Sequence, residues 1–184
     1  ELKEERYEDY EDWFHGSGAG LCARKHYFKN IEKVKGEPKS KDLMRLFRLG
    51  NIVHDDIQAA VSEVAIDDKT TIYIEHEVII PEFNVRSFLD MVIVEDNELY
   101  EVKTANSWSI AKINKKGPPI HHYLQTGTYG YWYEQKSGKP LGKLALLYYN
   151  KNNSEMREIA VSRDYIRRAE TYWKKLKNEL KWGL

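Results

Sequence analysis

The stretch Val85 to Ala105, VRSFLDMVIVEDNELYEVKTA, decides the fold. Two apolar runs, Phe88 to Val94 and Leu99 to Val102, flank Asp96-Asn97, a pair that tolerates a tight turn. The pattern predicts a β-hairpin with a two-residue loop. That loop pairs Val94 with Leu99, Val92 with Glu101 and Asp90 with Lys103. Residues directly opposite share a face, and so do alternate residues along a strand. Asp90, Glu101 and Lys103 therefore fall on one face, and a one-residue slip would separate Asp90 from the other two. Charges among Leu89, Val92, Ile93 and Val102 call for a partner or a metal. Two adjacent carboxylates repel until a cation neutralises them, and carboxylate oxygens suit Mg²⁺ or Mn²⁺. Lys103 would sit beside such an ion, able to hold a water or a phosphate oxygen. An exposed hairpin with a cross-strand Asp90–Lys103 ion pair, worth little, explains the same residues equally well at this point.

The chain has 184 residues, 41% apolar and 32% charged, which is the composition of one folded domain. No apolar run approaches the length of a membrane span, so no membrane partner is expected. The chain opens on Glu1 without a signal-peptide pattern, which points to a trimmed start. A lone cysteine, Cys22, excludes an internal disulfide framework and points to a reducing, cytoplasmic interior. With 29 basic and 29 acidic residues the net charge is zero, so nothing global advertises nucleic acid. A metal and local Lys and Arg groups can still receive phosphates.

Outward from the hairpin, the chain divides into a helical N-terminal part (1–40), a core (41–161) and a C-terminal helix (162–184). Residues 1–15 read as a helix with Tyr7, Tyr10, Trp13 and Phe14 on one face. Gly16 to Gly20 breaks it. A second helix opens at Leu21. Ser40 can cap a third, in which Leu43, Leu46, Phe47, Gly50, Val53, Ile57, Ala60 and Val61 mark a buried stripe. His54 lies on or beside that stripe, and a hydrogen-bonded core histidine is its plainer reading. Thr70 to Ile80 is the first strand; Glu75, Glu77 and Glu82 read as surface carboxylates, with Glu77 the reserve should Asp90 be misplaced. Asn106 to Pro119 reads as a basic loop near the hairpin carboxylates, its Trp108 set among Lys112, Lys115 and Lys116. An aromatic among lysines suits stacking and phosphate contact with a single strand; a packed Trp in a solvated loop fits equally. Pro118-Pro119 opens a helix on which His121, Gln125 and Tyr129 share a face. Strands at Leu144 to Tyr149 and Glu158 to Val161 and a helix over Arg163 to Leu180 follow.

Asp90, then Glu101-Val102-Lys103, resembles the core motif of the PD-(D/E)XK nuclease superfamily. Gly50-x-x-x-His54 ahead of it and Gln125-x-x-x-Tyr129 behind it are similar to motifs of the RecB-type branch. Cys22-x-Arg24-Lys25-x-Tyr27 resembles the opening of that branch and of related CRISPR-associated nucleases. The resemblance runs from about residue 20 to about 150. It implies an α/β fold: a central mixed β-sheet flanked by helices, with a restriction-endonuclease-like αβββαβ core. It also implies a metal-dependent DNA nuclease, end-directed and favouring single-stranded DNA. Asp90, Glu101, the Val102 carbonyl and His54 would hold Mg²⁺ or Mn²⁺, and Lys103 would position the attacking water. Gln125, Tyr129, Arg24 and Trp108 would contact substrate. Iron–sulfur relatives carry three further cysteines, which this chain lacks, so no cluster is expected and Cys22 reads as a small buried hydrophobe. Two rival readings remain: a non-catalytic DNA- or partner-binding module, and a metal-dependent hydrolase of another substrate.

Overall fold

The structure, a computed structural model, describes residues 13–181. Most of the aromatic helix expected over 1–15 lies outside them. At its described end the chain is not helical, because Phe14 is buried and bridges Val85 as an extended residue.

Five strands form one mixed sheet in sequence order: β1 (Ile72–Ile80), β2 (Val85–Ile93), β3 (Glu98–Ala105), β4 (Lys143–Asn150) and β5 (Met156–Ala160). Short α1 (Ala23–His26), prolonged by a π-turn over Tyr27–Ile31, and long α2 (Lys41–Asp68) precede the sheet. Helices α3 (Ser107–Lys116) and α4 (Ile120–Ser137) connect β3 to β4, and α5 (Asp164–Lys181) closes the described chain. The expected αβββαβ order is present, with α3 added to the crossover. That crossover is obligatory, because β3 and β4 run parallel from Glu98↔Lys143 to Ala105↔Asn150.

The hairpin forms, but in another register. Its turn holds Val94 to Asn97, closed by the Asn97 N–H donating to the Val94 carbonyl, with Asn97 left-handed at φ 53°. Val92 pairs with Leu99 and Met91 with Tyr100. This is a shift of two residues from the expected pairing, and an even shift keeps every side chain on its face. One step further along this register, Asp90 stands opposite Glu101 rather than Lys103. The ladder stops before that pair. The Val102 N–H donates at 2.7 Å to Asp90 Oδ2 in place of a backbone carbonyl, and the two strands part there.

Helix α2 starts at its predicted cap, the Leu43 N–H donating to Ser40 Oγ at 3.2 Å. Its 28 residues span about 42 Å, longer than the strip of sheet beneath it. Only the middle packs down: Val53, Ile57 and Val61 meet Val102, Leu147 and Tyr149. The predicted stripe therefore fails at its N-terminal end, with Leu43, Leu46 and Phe47 exposed, and at Ala60 within it. Cys22 is exposed too, not buried. The segment read as a basic loop is α3. Asn106 caps it by accepting the Ser109 N–H at 2.8 Å, and Ile110 and Ile113 turn inward. Behind α4, helix α5 approaches so closely that a Cβ on Gly127 would stand 2.2 Å from the Tyr165 carbonyl oxygen. Among the described residues no helix is long and apolar enough to cross a membrane.

Candidate active site

Alternation along β3 sends consecutive residues to opposite faces. Val102 goes under α2, while Glu101 and Lys103 turn toward α4. Glu101 is only 2% exposed. Its Oε1 accepts from Lys103 Nζ and from Gln125 Nε2, each at 2.6 Å. The Gln125 amide also donates to the Tyr129 hydroxyl at 3.1 Å, which lies 2.9 Å from Ser87 Oγ. Gly16 rests on the ring of that tyrosine: a Cβ there would stand 2.6 Å from Cε1. The glycine run is thus more than a turn, since it leaves room for the phenol that braces Gln125.

Asp90 stands where β2 and β3 separate. Its Oδ2 is held by Val102, and its Oδ1 lies 3.4 Å from His54 Nδ1 on α2. Glu75 joins them from β1. Ligand atoms of His54, Glu75 and Asp90 all lie within 4.8 Å of one another. Gln58, one turn beyond His54, donates to Glu75 Oε1 at 3.2 Å.

Burial, then the Asp90 charge, push the Glu101 carboxyl up to about 8 against the opposing pull of Lys103. His122 is lowered to about 3, by burial and then by Lys103, and His121 is lowered for the same reasons. The donor set fits a hard divalent cation. Among the described residues Glu101 Oε2 is buried and has no hydrogen-bond partner. A buried carboxyl oxygen left so, beside a second carboxylate, is what a cation satisfies, because the cation favours the ionised form that burial opposes.

Seven of the predicted residues come together: His54, Asp90, Glu101, Val102, Lys103, Gln125 and Tyr129. Two of these have a different task from the expected one. Gln125 is 7% and Tyr129 1% exposed, and their donors are committed inside the protein. They brace the Glu101 carboxylate rather than present free groups to a ligand. Arg24 stays apart on α1, its guanidinium 5.6 Å from the Phe28 ring centroid. Trp108 is 72% exposed on the first turn of α3, with Lys112 Nζ 5.6 Å from its ring centroid. It lines a cleft of about 760 Å³ with Leu46, Thr104, Lys112, Lys116 and Lys151. The cleft lies at the end of β3, where Thr104 and Ala105 line it, and none of the carboxylates does. The reserve residue, Glu77, accepts from Arg86 Nε at 2.7 Å. Sequence reading missed Glu75 and Gln58. The tight β1–β2 connection was the available signal, since its register sets Glu75 opposite Asp90.

No family model matches the chain, and no curated protein does. Solved structures do. An alkaline exonuclease from Laribacter hongkongensis (LHK-Exo) is similar over 97% of this chain and 92% of its own, at 15% identity and a TM-score of 0.62. The chain shares the fold of that structure. The same enzyme in complex with dAMP gives a TM-score of 0.62 at 16% identity, over the same shares of both chains. A protein designated SSO0001 gives 0.54 at 16% identity, over 97% of this chain and 88% of its own.

Proposed function

We propose that this chain is a metal-dependent DNA nuclease of the PD-(D/E)XK superfamily, RecB-type branch. It acts as an exonuclease favouring single-stranded ends, in DNA repair, recombination or viral DNA processing. The whole chain serves as one nuclease domain. The observation that carries the reading is Glu101, with one oxygen braced by Lys103 and Gln125 and the other buried without a partner beside Asp90. The fold shared with the Laribacter exonuclease supports it, as does the dAMP found with that neighbour.

Asp90, Glu101, the Val102 carbonyl and His54 would hold Mg²⁺ or Mn²⁺. A divalent ion there lowers the pKa of a bound water and offsets charge building on the phosphorus. Lys103 gives Glu101 one of its three donors, and its side chain is 20% exposed on the open side. It can therefore orient the attacking water and stabilise the developing charge. Water forms the new P–O bond, the bridging P–O bond breaks, and the leaving oxygen takes a proton. Gln125 and Tyr129 act as positioning residues that keep Glu101 in place. Trp108, Lys112 and Lys116 take the strand in the neighbouring cleft, where base stacking and phosphate pairing are indifferent to sequence. Arg24, exposed on α1, is a remoter phosphate contact.

One imidazole in an oxygen site favours Mn²⁺. Cleavage is expected to be at least as fast with Mn²⁺ as with Mg²⁺. The deciding assay uses end-labelled single- and double-stranded DNA with each ion, with chelator, and with Asp90→Ala. Metal-dependent loss of label, absent from the variant, supports the reading. Undiminished cleavage in chelator overturns it. Metal binding without cleavage of either DNA points to a hydrolase of another substrate, and neither activity points to a binding module.

A further inference from the structure

Glu75 breaks a rule that the rest of its strand obeys. Its φ is 46°, a left-handed value that side chains rarely adopt. The other described non-glycine residues with positive φ lie in turns, helix ends or connecting segments: Lys33, Lys69, Asn84, Asn97 and Ser154. Glu75 alone sits inside a strand. Its neighbours keep their ladder partners, Ile74 with Met91 and His76 with Leu89, while Glu75 itself leaves the ladder opposite Asp90. The residues that this twist brings within reach are His54 and Asp90. An observed outlier of this kind licenses an inference about function.

Resting on the metal-dependent reading above, we infer that Glu75 is a metal ligand. With His54 and Asp90 it forms a second cation position, and Asp90 is shared with the position built on Glu101 and the Val102 carbonyl. Two independent features point to cations here. Three ligand atoms from α2, β1 and β2 cluster within 4.8 Å. Against Asp90, Glu101 Oε2 is buried and, among the described residues, lacks a partner. Asp90 lies between the two positions, its Oδ1 3.4 Å from His54 Nδ1 and its Oδ2 accepting the Val102 N–H beside Glu101. The second position carries the imidazole and is the one that prefers Mn²⁺. Gln58, buried and bonded to Glu75, is the positioning residue for this ligand.

The test counts Mn²⁺ bound per chain, without nucleic acid, by the loss of the free-ion paramagnetic resonance signal. Wild type is expected to take up two ions. Glu75→Gln, His54→Gln and the pair combined are each expected to take up one, because the two residues serve the same ion. Glu101→Gln should also keep one, and Glu75→Gln with Glu101→Gln none. Gln58→Leu should weaken the affected ion about tenfold. Circular dichroism of each variant without metal reports whether it is folded. Should Glu75→Gln be unfolded, Gln58→Leu and His54→Gln still decide, and unchanged uptake in both overturns the assignment. A folded Glu75→Gln that binds as many ions as wild type, with the same affinity, also overturns it. No Mn²⁺ on wild type overturns the metal-dependent reading itself.

Discussion

Helices α2 and α4 reach the same acidic cluster from opposite faces of the sheet, and each hands a glutamine to a glutamate. The two deliveries differ in stiffness. Gln125 on α4 bonds Glu101 at 2.6 Å and is itself held by Tyr129 and, through it, by Ser87. Behind it α4 lies against α5, with the Trp173 indole donating to Thr128 at 2.8 Å. Gln58 on α2 bonds Glu75 at 3.2 Å, and α2 touches its core cluster only through its middle. One glutamate is fixed in a braced wall; the other hangs from a helix whose leading turns project beyond the sheet. A site that must grip an ion firmly on one side and admit a substrate on the other can use that asymmetry.

The largest test of the comparison is the residue common to both sides. Asp90→Ala should lower cleavage by on the order of 10³-fold or more, because both halves lose a ligand. A loss under tenfold would show that the halves do not meet at Asp90. Next comes Lys103→Ala, which should cost roughly 10²- to 10³-fold in rate while calorimetry shows Mn²⁺ binding intact. Loss of binding instead would make Lys103 part of the braced wall rather than an actor in the chemistry. Gln125→Leu should cost about 10- to 100-fold in activity, and more than Gln58→Leu does. Equal losses would erase the distinction between stiff and yielding sides. The smallest effects are on folding. Gly127→Ala drives a methyl into the Tyr165 carbonyl and should cost about 1–3 kcal/mol in denaturant unfolding. Gly50→Ala meets Thr104 Oγ1 at an ordinary 3.4 Å and should stay within about 0.5 kcal/mol.

The same asymmetry governed what could be read from sequence. The α4 side was legible, because strand alternation and an i, i+4 helix face place Glu101, Lys103, Gln125 and Tyr129 by local rules. The wrong loop length did no harm there: a shift of two residues leaves every face unchanged. The α2 side was legible only in part. His54 was singled out, but Glu75 passed for a surface carboxylate, since its role depends on a backbone twist that no pattern announces. The apolar run of Leu43, Leu46 and Phe47 matched a buried stripe by periodicity. Burial also needs a surface to pack against, and the sheet ends before these residues. Helix α3 was missed because its lysines masked the Asn106 cap and the inward pair Ile110 and Ile113.

The early parting of β2 and β3 has a kinetic consequence. The backbone carrying Glu101 and Lys103 is clamped not by its hairpin partner but by β4, which pairs Glu101 with Leu146. That pairing spans a crossover of two helices, and such non-local contacts close slowly, after local hairpins have formed. During synthesis the hairpin can zip as soon as it emerges, yet the acidic cluster has no rigid floor until β4 has left the ribosome and docked. On the proposed reading catalytic competence is therefore a late event in folding, and recovery of activity after dilution from denaturant should lag the return of hairpin protection against amide exchange.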